Sequence, residues 1–101
     1  MAFRILFSDQ AERDYQHLTT DKGLMKRLKA VQKTLALLET NPRHPSLHSH
    51  EFTALTRVLG TKVFEAYAEN KTPAAYRVFS CYGPGKDAVT VTAIPPHPRL
   101  G

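Results

Sequence analysis

The sequence contains a single cysteine, Cys81, and no long hydrophobic run. One cysteine excludes an internal disulfide framework and is typical of a reducing compartment. The first residues, Met1 to Arg4, lack the apolar region of a secretion signal, and no stretch approaches the length that spans a bilayer. We therefore expect a cytoplasmic protein without a membrane segment.

Acidic residues are also few. Nine Asp and Glu stand against fourteen Lys and Arg, which gives a formal charge of +5 and a pI near 9.6. This excess favours an anionic partner, with nucleic acid as the first candidate, although many small domains carry such charge for solubility alone. With 101 residues, 42% of them hydrophobic, the chain is expected to form one domain over residues 1–101.

The sequence lacks the common catalytic motifs. It has no Gly-rich phosphate loop, no Ser-His-Asp spacing and no HExxH. His44, His48 and His50 lie close together, but no Cys pair or further ligand accompanies them, so we expect no metal and no other cofactor. For His48 and His50, hydrogen bonding within a loop and proton transfer near neutral pH are alternative roles.

Three runs with strand chemistry dominate the C-terminal part of the chain. Residues 62–68, 75–82 and 88–94 are rich in β-branched and aromatic side chains and are separated by turn formers. Connections this short cannot hold a parallel crossover, so the runs predict an antiparallel meander. Residues 3–7 alternate with a period of two and predict a further short strand.

Two helices are predicted before the meander. Ser8 or Asp9 caps the first, and Asp9 with Glu12 has the spacing of a capping box. The second runs to about Glu39 and carries an apolar stripe at intervals of four and three residues: Leu24, Leu28, Val31, Leu35 and Leu38. The predicted fold is therefore α+β, with a small antiparallel sheet, made of the N-terminal strand and the meander, covered by two N-terminal helices. Residues 43–61 are predicted to be loop with at most a short helical turn.

A row of lysines follows another side of the second helix. Its members recur at four, three and four residues: Lys22, Lys26, Lys29 and Lys33. Like charges at this spacing repel one another, which makes an anion-binding role attractive. A solvated lysine face is the equally simple alternative.

Arg77 is the most informative charged residue of the meander. It shares a strand face with Ala75, Phe79 and Cys81, and a guanidinium among such neighbours needs an anionic partner. That partner is either a carboxylate of the preceding strand, Glu65 or Glu69, or a phosphate that the fork is held ready to bind.

Three segments resemble the RelE/ParE superfamily of toxins from bacterial toxin-antitoxin pairs. Residues 41–50, NPRHPSLHSH, are similar to the family segment after the second helix. Residues 60–67 resemble the family strand with the pattern G...wElR, and residues 75–79, AYRVF, resemble its gYRvly strand. The order of strand, two helices, loop, meander and tail extends this resemblance over nearly the whole chain.

The resemblance implies a metal-independent endoribonuclease that cleaves mRNA, often on the ribosome, by attack of a ribose 2′-hydroxyl on the adjacent phosphate. Such a reaction requires a base, a cation at the phosphoryl oxygens and an acid for the leaving oxygen. By position, Arg77 matches the phosphate-contacting arginine, His97 the acid, and Glu65 with His48 or His50 the base. Residues expected to bind RNA are Lys62, Arg43 and the lysine row: Lys22, Lys26, Lys29 and Lys33.

The chain also departs from the family pattern. Tyr67 stands where the ElR strand has its arginine, and His48 and His50 occupy a segment in which ribosome-dependent members carry Lys or Arg. Two alternatives therefore stay open: a ParE-like non-catalytic inhibitor of DNA gyrase, and a non-toxic member that binds RNA or an antitoxin. In every case we expect a cognate antitoxin that covers the basic groove or adds a strand to the sheet.

Overall fold

The order of helices and strands follows the hydrophobic pattern of the sequence. The structure, a computed structural model, describes residues 2–69 and 75–96. Its elements are β1 (Arg4–Phe7), α1 (Asp9–Thr20), α2 (Met25–Thr40), β2 (His50–Glu51), α3 (Thr53–Leu59), β3 (Phe64–Tyr67), β4 (Arg77–Tyr82) and β5 (Ala88–Ala93). Short 3₁₀ turns at Lys22–Leu24 and Pro45–Leu47 precede α2 and β2. The predicted α+β class, with two N-terminal helices and a C-terminal meander, is confirmed.

The strands of the described residues form one five-stranded sheet in the order β1-β5-β4-β3-β2. The strands β3, β4 and β5 pair antiparallel, as their short connections predict. The short strand β2 adds to β3 in the same sense, with His50 opposite Glu65. This register brings the post-helix segment next to the meander.

The pairing of β1 corrects the prediction of an antiparallel sheet. The strand β1 runs parallel to β5, with Ile5 opposite Val89 and Phe7 opposite Val91. The connection between β1 and β5 contains the helices and the rest of the sheet, which is long enough for a parallel crossover. The short-connection argument applied only within the meander, so it could not determine the direction of β1. The sheet is therefore mixed.

The segment 43–61 is more regular than predicted. It contains β2 and α3, and α3 ends at Gly60, whose left-handed φ of 74° is the conformation that favours glycine at a helix end. The helix has seven residues and no side-chain hydrogen bond at its N-cap, Phe52. Two turns without a capping residue leave too short a pattern for helical periodicity to be recognised in the sequence.

Ser8 connects the start of α1 to the sheet. Its Oγ accepts a hydrogen bond from the backbone N–H of Ala11 at 3.1 Å, so Ser8 is the cap of the helix. The same hydroxyl donates to the carbonyl of Thr92 at 2.8 Å. This pair of bonds fixes α1 against the strand that lies between β1 and β4.

The apolar stripe of α2 covers one face of the sheet, as predicted. Val31 and Leu38 are buried, while Leu24, Leu28 and Leu35 pack against the same core. Further buried members come from α1 and the sheet: Ala11, Leu18, Ala66, Val78 and Val91. Because side chains alternate along a strand, the neighbours of Ala66 and Val78 project from the opposite face of the sheet.

Leu18 tests this core because its side chain is only 1% exposed. We expect Leu18→Ala to lower the free energy of unfolding by about 2–5 kcal/mol, since it leaves a cavity among packed side chains. Urea denaturation followed by circular dichroism measures the change. Val58→Ala on α3 is the matched control, because Val58 is 77% exposed and its loss should change the free energy by less than about 0.5 kcal/mol. Equal effects of the two variants would contradict the assigned core.

Candidate functional site

A buried carboxylate lies at the centre of the candidate site. Glu65 is in β3 and is 2% exposed. Its Oε2 accepts a hydrogen bond from Nη1 of Arg77 at 2.6 Å, and its Oε1 lies 2.7 Å from Nε2 of His50. Strand pairing explains the convergence, because His50 lies opposite Glu65 and Arg77 enters from β4 on the other side. Three predicted site residues are thus brought together.

Arg77 is anchored along one edge of its guanidinium. The side chain is 11% exposed, and its guanidinium carbon lies 4.8 Å from the centre of the Phe79 ring. Its Nε is buried and has no hydrogen-bond partner among the described residues. A guanidinium offers five N–H donors. Within the described residues, the guanidinium therefore bonds to Glu65 through Nη1 and leaves its buried Nε unsatisfied.

The structure distinguishes between the two carboxylates proposed from the sequence as partners of Arg77. Glu65 pairs with Arg77, whereas Glu69 accepts from Arg27 of α2 at 2.8 Å. Both oxygens of Glu65 face cationic or ring nitrogens, and its side chain is 3% exposed. This geometry suits a carboxylate that positions Arg77 and His50 better than one that receives a proton from a substrate.

Tyr67 joins the cluster, although it was not predicted to be a site residue. It lies opposite Arg77 in the β3–β4 register, and its ring centre is 5.9 Å from that of His50. The alignment of the two strands was the signal that could have identified it, because residues opposite each other in an antiparallel pair share a face.

The environment of Tyr67 favours its protonated form. Burial raises the pKa of Tyr67 above its ordinary value of 10.0, and the negative charge of Glu65 and a hydrogen bond to it raise the pKa further, while the charge of Arg77 lowers it. The phenol therefore remains a hydrogen-bond donor at neutral pH. It supplies a neutral group where the family strand carries a cation.

The remaining predicted histidines do not join this cluster in the described structure. His48 is exposed, has a left-handed φ of 48° and lines a separate pocket together with His44. Only the backbone carbonyl of His48 approaches the site, at 3.4 Å from Nδ1 of His50. His97, proposed as the acid, lies outside the described residues.

The residues expected to bind RNA lie on more than one surface. The lysine row is exposed on α2 and on the turn before it, and α2 covers the sheet face opposite to Arg77. Lys62 is exposed just before β3, and Arg43 is exposed in the post-helix segment. The lysine row and the Arg77 cluster are therefore on opposite sides of the sheet, so one short RNA segment would not contact both directly.

Two further features concern metals and membranes. Within residues 2–69 and 75–96, no group of three or more His, Cys, Asp and Glu side chains is arranged to hold a metal ion. Among the helices of the described chain, none has the length and apolar character needed to cross a bilayer.

Two solved structures share this architecture. The YoeB dimer from Staphylococcus aureus matches with a TM-score of 0.65 and 14% identity, over 97% of this chain and 100% of that chain. The archaeal RelE-RelB complex from Pyrococcus horikoshii OT3 contains a chain that matches with a TM-score of 0.65 and 13% identity, over 99% of this chain and 100% of its own length. The chain has a RelE-like fold. No protein-family model matches the sequence, and no curated protein is similar to it in sequence.

The RelE-like fold confirms the resemblance stated from the sequence at the level of architecture. At 13% and 14% identity, the shared feature is the path of the chain rather than its side chains. The Glu65, Arg77, His50 and Tyr67 cluster is therefore a property established by the coordinates of this chain alone.

The coupling between Glu65 and Arg77 can be measured with a double-mutant cycle. Glu65→Gln leaves a buried guanidinium without its countercharge, and Arg77→Gln leaves the carboxylate unpaired, so each should lower the free energy of unfolding by about 3–5 kcal/mol. The double variant should cost clearly less than the sum of the two, because neither charge is then stranded. Urea denaturation measures all three. Additive losses would show that the two groups do not form a coupled pair.

Tyr67 gives a prediction at alkaline pH. A pKa that is higher in the folded than in the unfolded chain stabilises the fold fully below about pH 10 and loses that contribution as the pH rises through the folded-state pKa. Tyr67→Phe should therefore make the loss of unfolding free energy with rising pH less steep above about pH 10. Urea denaturation at a series of pH values measures the slope. An unchanged slope would mean that Tyr67 is not in the environment described.

Proposed function

We propose that the protein is the toxin of a toxin-antitoxin pair and that it cleaves mRNA without a metal, in association with the ribosome. The observation that carries the proposal is the Arg77 guanidinium, which is 11% exposed and which Glu65 holds in place through Nη1. A phosphate oxygen is a suitable acceptor for such a fork. The RelE-like fold supports the same class of protein.

In this proposal Arg77 acts on the phosphate. The attack forms a bond between the 2′ oxygen and phosphorus, and the bond from phosphorus to the 5′ oxygen breaks, leaving a 2′,3′-cyclic phosphate. Negative charge grows on the phosphoryl oxygens during this exchange, and fixed donors aimed at it lower the barrier. Arg77 supplies the positive charge, and the neutral phenol of Tyr67 bonds to Glu65 and helps to hold this carboxylate in place.

His50 is the imidazole best placed to act as the base. Its side chain is 50% exposed, and its Nε2 faces Oε1 of Glu65 at 2.7 Å. When Nε2 donates its proton to this carboxylate, a neutral ring has its lone pair on Nδ1. The 2′-hydroxyl then displaces the 3.4 Å contact of Nδ1 with the carbonyl of His48 and gives its proton to Nδ1. His97 is the proposed acid that returns a proton to the 5′ oxygen, and Glu65 positions both Arg77 and His50.

A cognate antitoxin is the expected protein partner. The matched archaeal RelE was solved as a complex with RelB, which supports an antitoxin partner for the present chain. The formal charge of +5 favours an acidic one. Binding over the Arg77 cluster would exclude RNA from it.

A second candidate function is non-catalytic inhibition of DNA gyrase, as in the ParE branch. The supporting observation is that Glu65 already balances the charge of Arg77 and that Tyr67 replaces a family arginine, so the cluster carries little net positive charge. A non-toxic member that binds RNA or an antitoxin has the same support. The two toxic alternatives differ in outcome: one yields mRNA cut within codons and the other DNA breaks.

Substitution of Arg77 tests the leading proposal. Expression of the unaltered protein should arrest growth, and Arg77→Ala should relieve the arrest and reduce RNA cleavage by about 10²–10³-fold, because charge stabilisation at the phosphate is lost. Arg77→Lys keeps the charge without the planar fork and should fall between the two. Cleavage is measured on a defined mRNA with and without ribosomes.

Two controls make the Arg77 result specific. Arg57→Ala removes the same charge from an exposed position of α3 and should leave cleavage unchanged. Thermal unfolding of every variant identifies any loss caused by misfolding. A substrate with 2′-deoxy sugars should resist cleavage, and EDTA should have no effect. Cleavage of the deoxy substrate, or full toxicity of a folded Arg77→Ala protein, would contradict the mechanism.

A further inference from the structure

A cavity separate from the Arg77 cluster lies on the opposite face of the sheet. It has a volume of about 440 Å³ and opens between the end of α2, residues 42–49 and the sheet. We name it the loop pocket. Its apolar floor includes Leu38, Phe64 and Val89. Phe64 and Glu65 are neighbours on β3 and therefore project to opposite faces, so the loop pocket is separate from the candidate site described above.

Ser80 provides a hydroxyl at the loop pocket. The residue is 5% exposed, lies opposite Phe64 in the β3–β4 register and lines the cavity. A hydroxyl can both donate and accept a hydrogen bond. It is therefore able to bond to a polar atom of a ligand in the loop pocket.

The charged and ionisable side chains at the rim of the loop pocket are all basic. Arg43, His44 and His48 line it, and no carboxylate does so among the described residues. Nδ1 of His44 accepts from the backbone N–H of Ser46 at 3.1 Å, so in the neutral ring Nε2 carries the proton. His48 has a left-handed φ of 48° because it is the C-cap of the Pro45–Leu47 turn, where its backbone N–H donates to the carbonyl of Pro45. The rim is therefore suited to an anion.

The wall of the loop pocket offers aromatic surface. Tyr82 is 46% exposed, and its ring centre lies 5.7 Å from that of Phe64 in an edge-to-face arrangement. Nucleobases stack on exposed aromatic side chains of this kind. Pockets for small organic ligands commonly combine such apolar walls with a few polar groups, at volumes of about 300–1,000 Å³.

We propose that the loop pocket binds a nucleotide, with its base against Tyr82 and Phe64 and its phosphate at Arg43 and the two imidazoles. The hydroxyl of Ser80 bonds to a polar atom of the base. A free nucleotide and a nucleotide within single-stranded RNA present the same chemistry. This site is distinct from the proposed ribonuclease site, and nucleotide binding is measured without RNA cleavage.

Calorimetric titration with adenosine 5′-monophosphate tests the proposal. We expect saturable binding at one site, at least about tenfold tighter than binding of adenosine or of inorganic phosphate, since each of those probes lacks one half of the recognised group. A 2′-O-methyl RNA tetramer, which resists 2′-hydroxyl chemistry, identifies the source. Tighter binding of the tetramer indicates an RNA strand, and tighter binding of the monophosphate indicates a free nucleotide. If neither probe binds saturably, the proposal is wrong.

Variants of the rim show whether binding is specific to the loop pocket. Arg43→Ala should weaken binding of the monophosphate by about tenfold, because a charge-assisted hydrogen bond is lost. His48→Gly removes an imidazole while allowing the left-handed backbone, so it should weaken binding without unfolding the protein. Arg57→Ala on α3 removes equal charge elsewhere and should have no effect. If Arg57→Ala weakens binding as much as Arg43→Ala, the attraction is general electrostatics and the proposed site is excluded.

Discussion

The pair of Glu65 and Arg77 is the interaction on which the candidate site depends. The side chains are 3% and 11% exposed, so neither charge retains the hydration that it has in water, and each requires the other. A hydrophobic pair of similar volume would stabilise the sheet at least as well. The retention of two charges here is consistent with a role in holding a guanidinium edge in one orientation.

Much of this arrangement follows from local sequence patterns. The alternation in residues 75–82 placed Arg77 and Phe79 on one face and Val78 on the other, and the structure agrees, with Arg77 over the Phe79 ring and Val78 in the helix-covered core. The stripe from Leu24 to Leu38 likewise packs as expected. Hydrophobic periodicity indicates which side of a helix or strand is buried, and both segments are long enough for this periodicity to be recognised.

Other features depend on contacts between distant segments, and no local pattern contains them. The parallel direction of β1 is one, because it is decided by the path of the intervening chain. The choice between Glu65 and Glu69 is another: each is on or near β3, but α2 supplies Arg27 as a second cation, and this contact removes Glu69 from the site. The loop pocket is a third, since Ser80 and His48 are far apart in sequence.

The parallel pairing of β1 with β5 has a consequence for synthesis on the ribosome. The strand β1 is synthesised first, but it can pair only when β5, which is synthesised last, is available. The reason is that β5 supplies the hydrogen-bond partners of both β1 and β4. Contacts of such high sequence separation close late. Until residues 88–93 have left the ribosome, β4 lacks its neighbour β5. Arg77, at the start of β4, then lies in an incomplete sheet. The candidate site is therefore completed only after the last strand has left the ribosome.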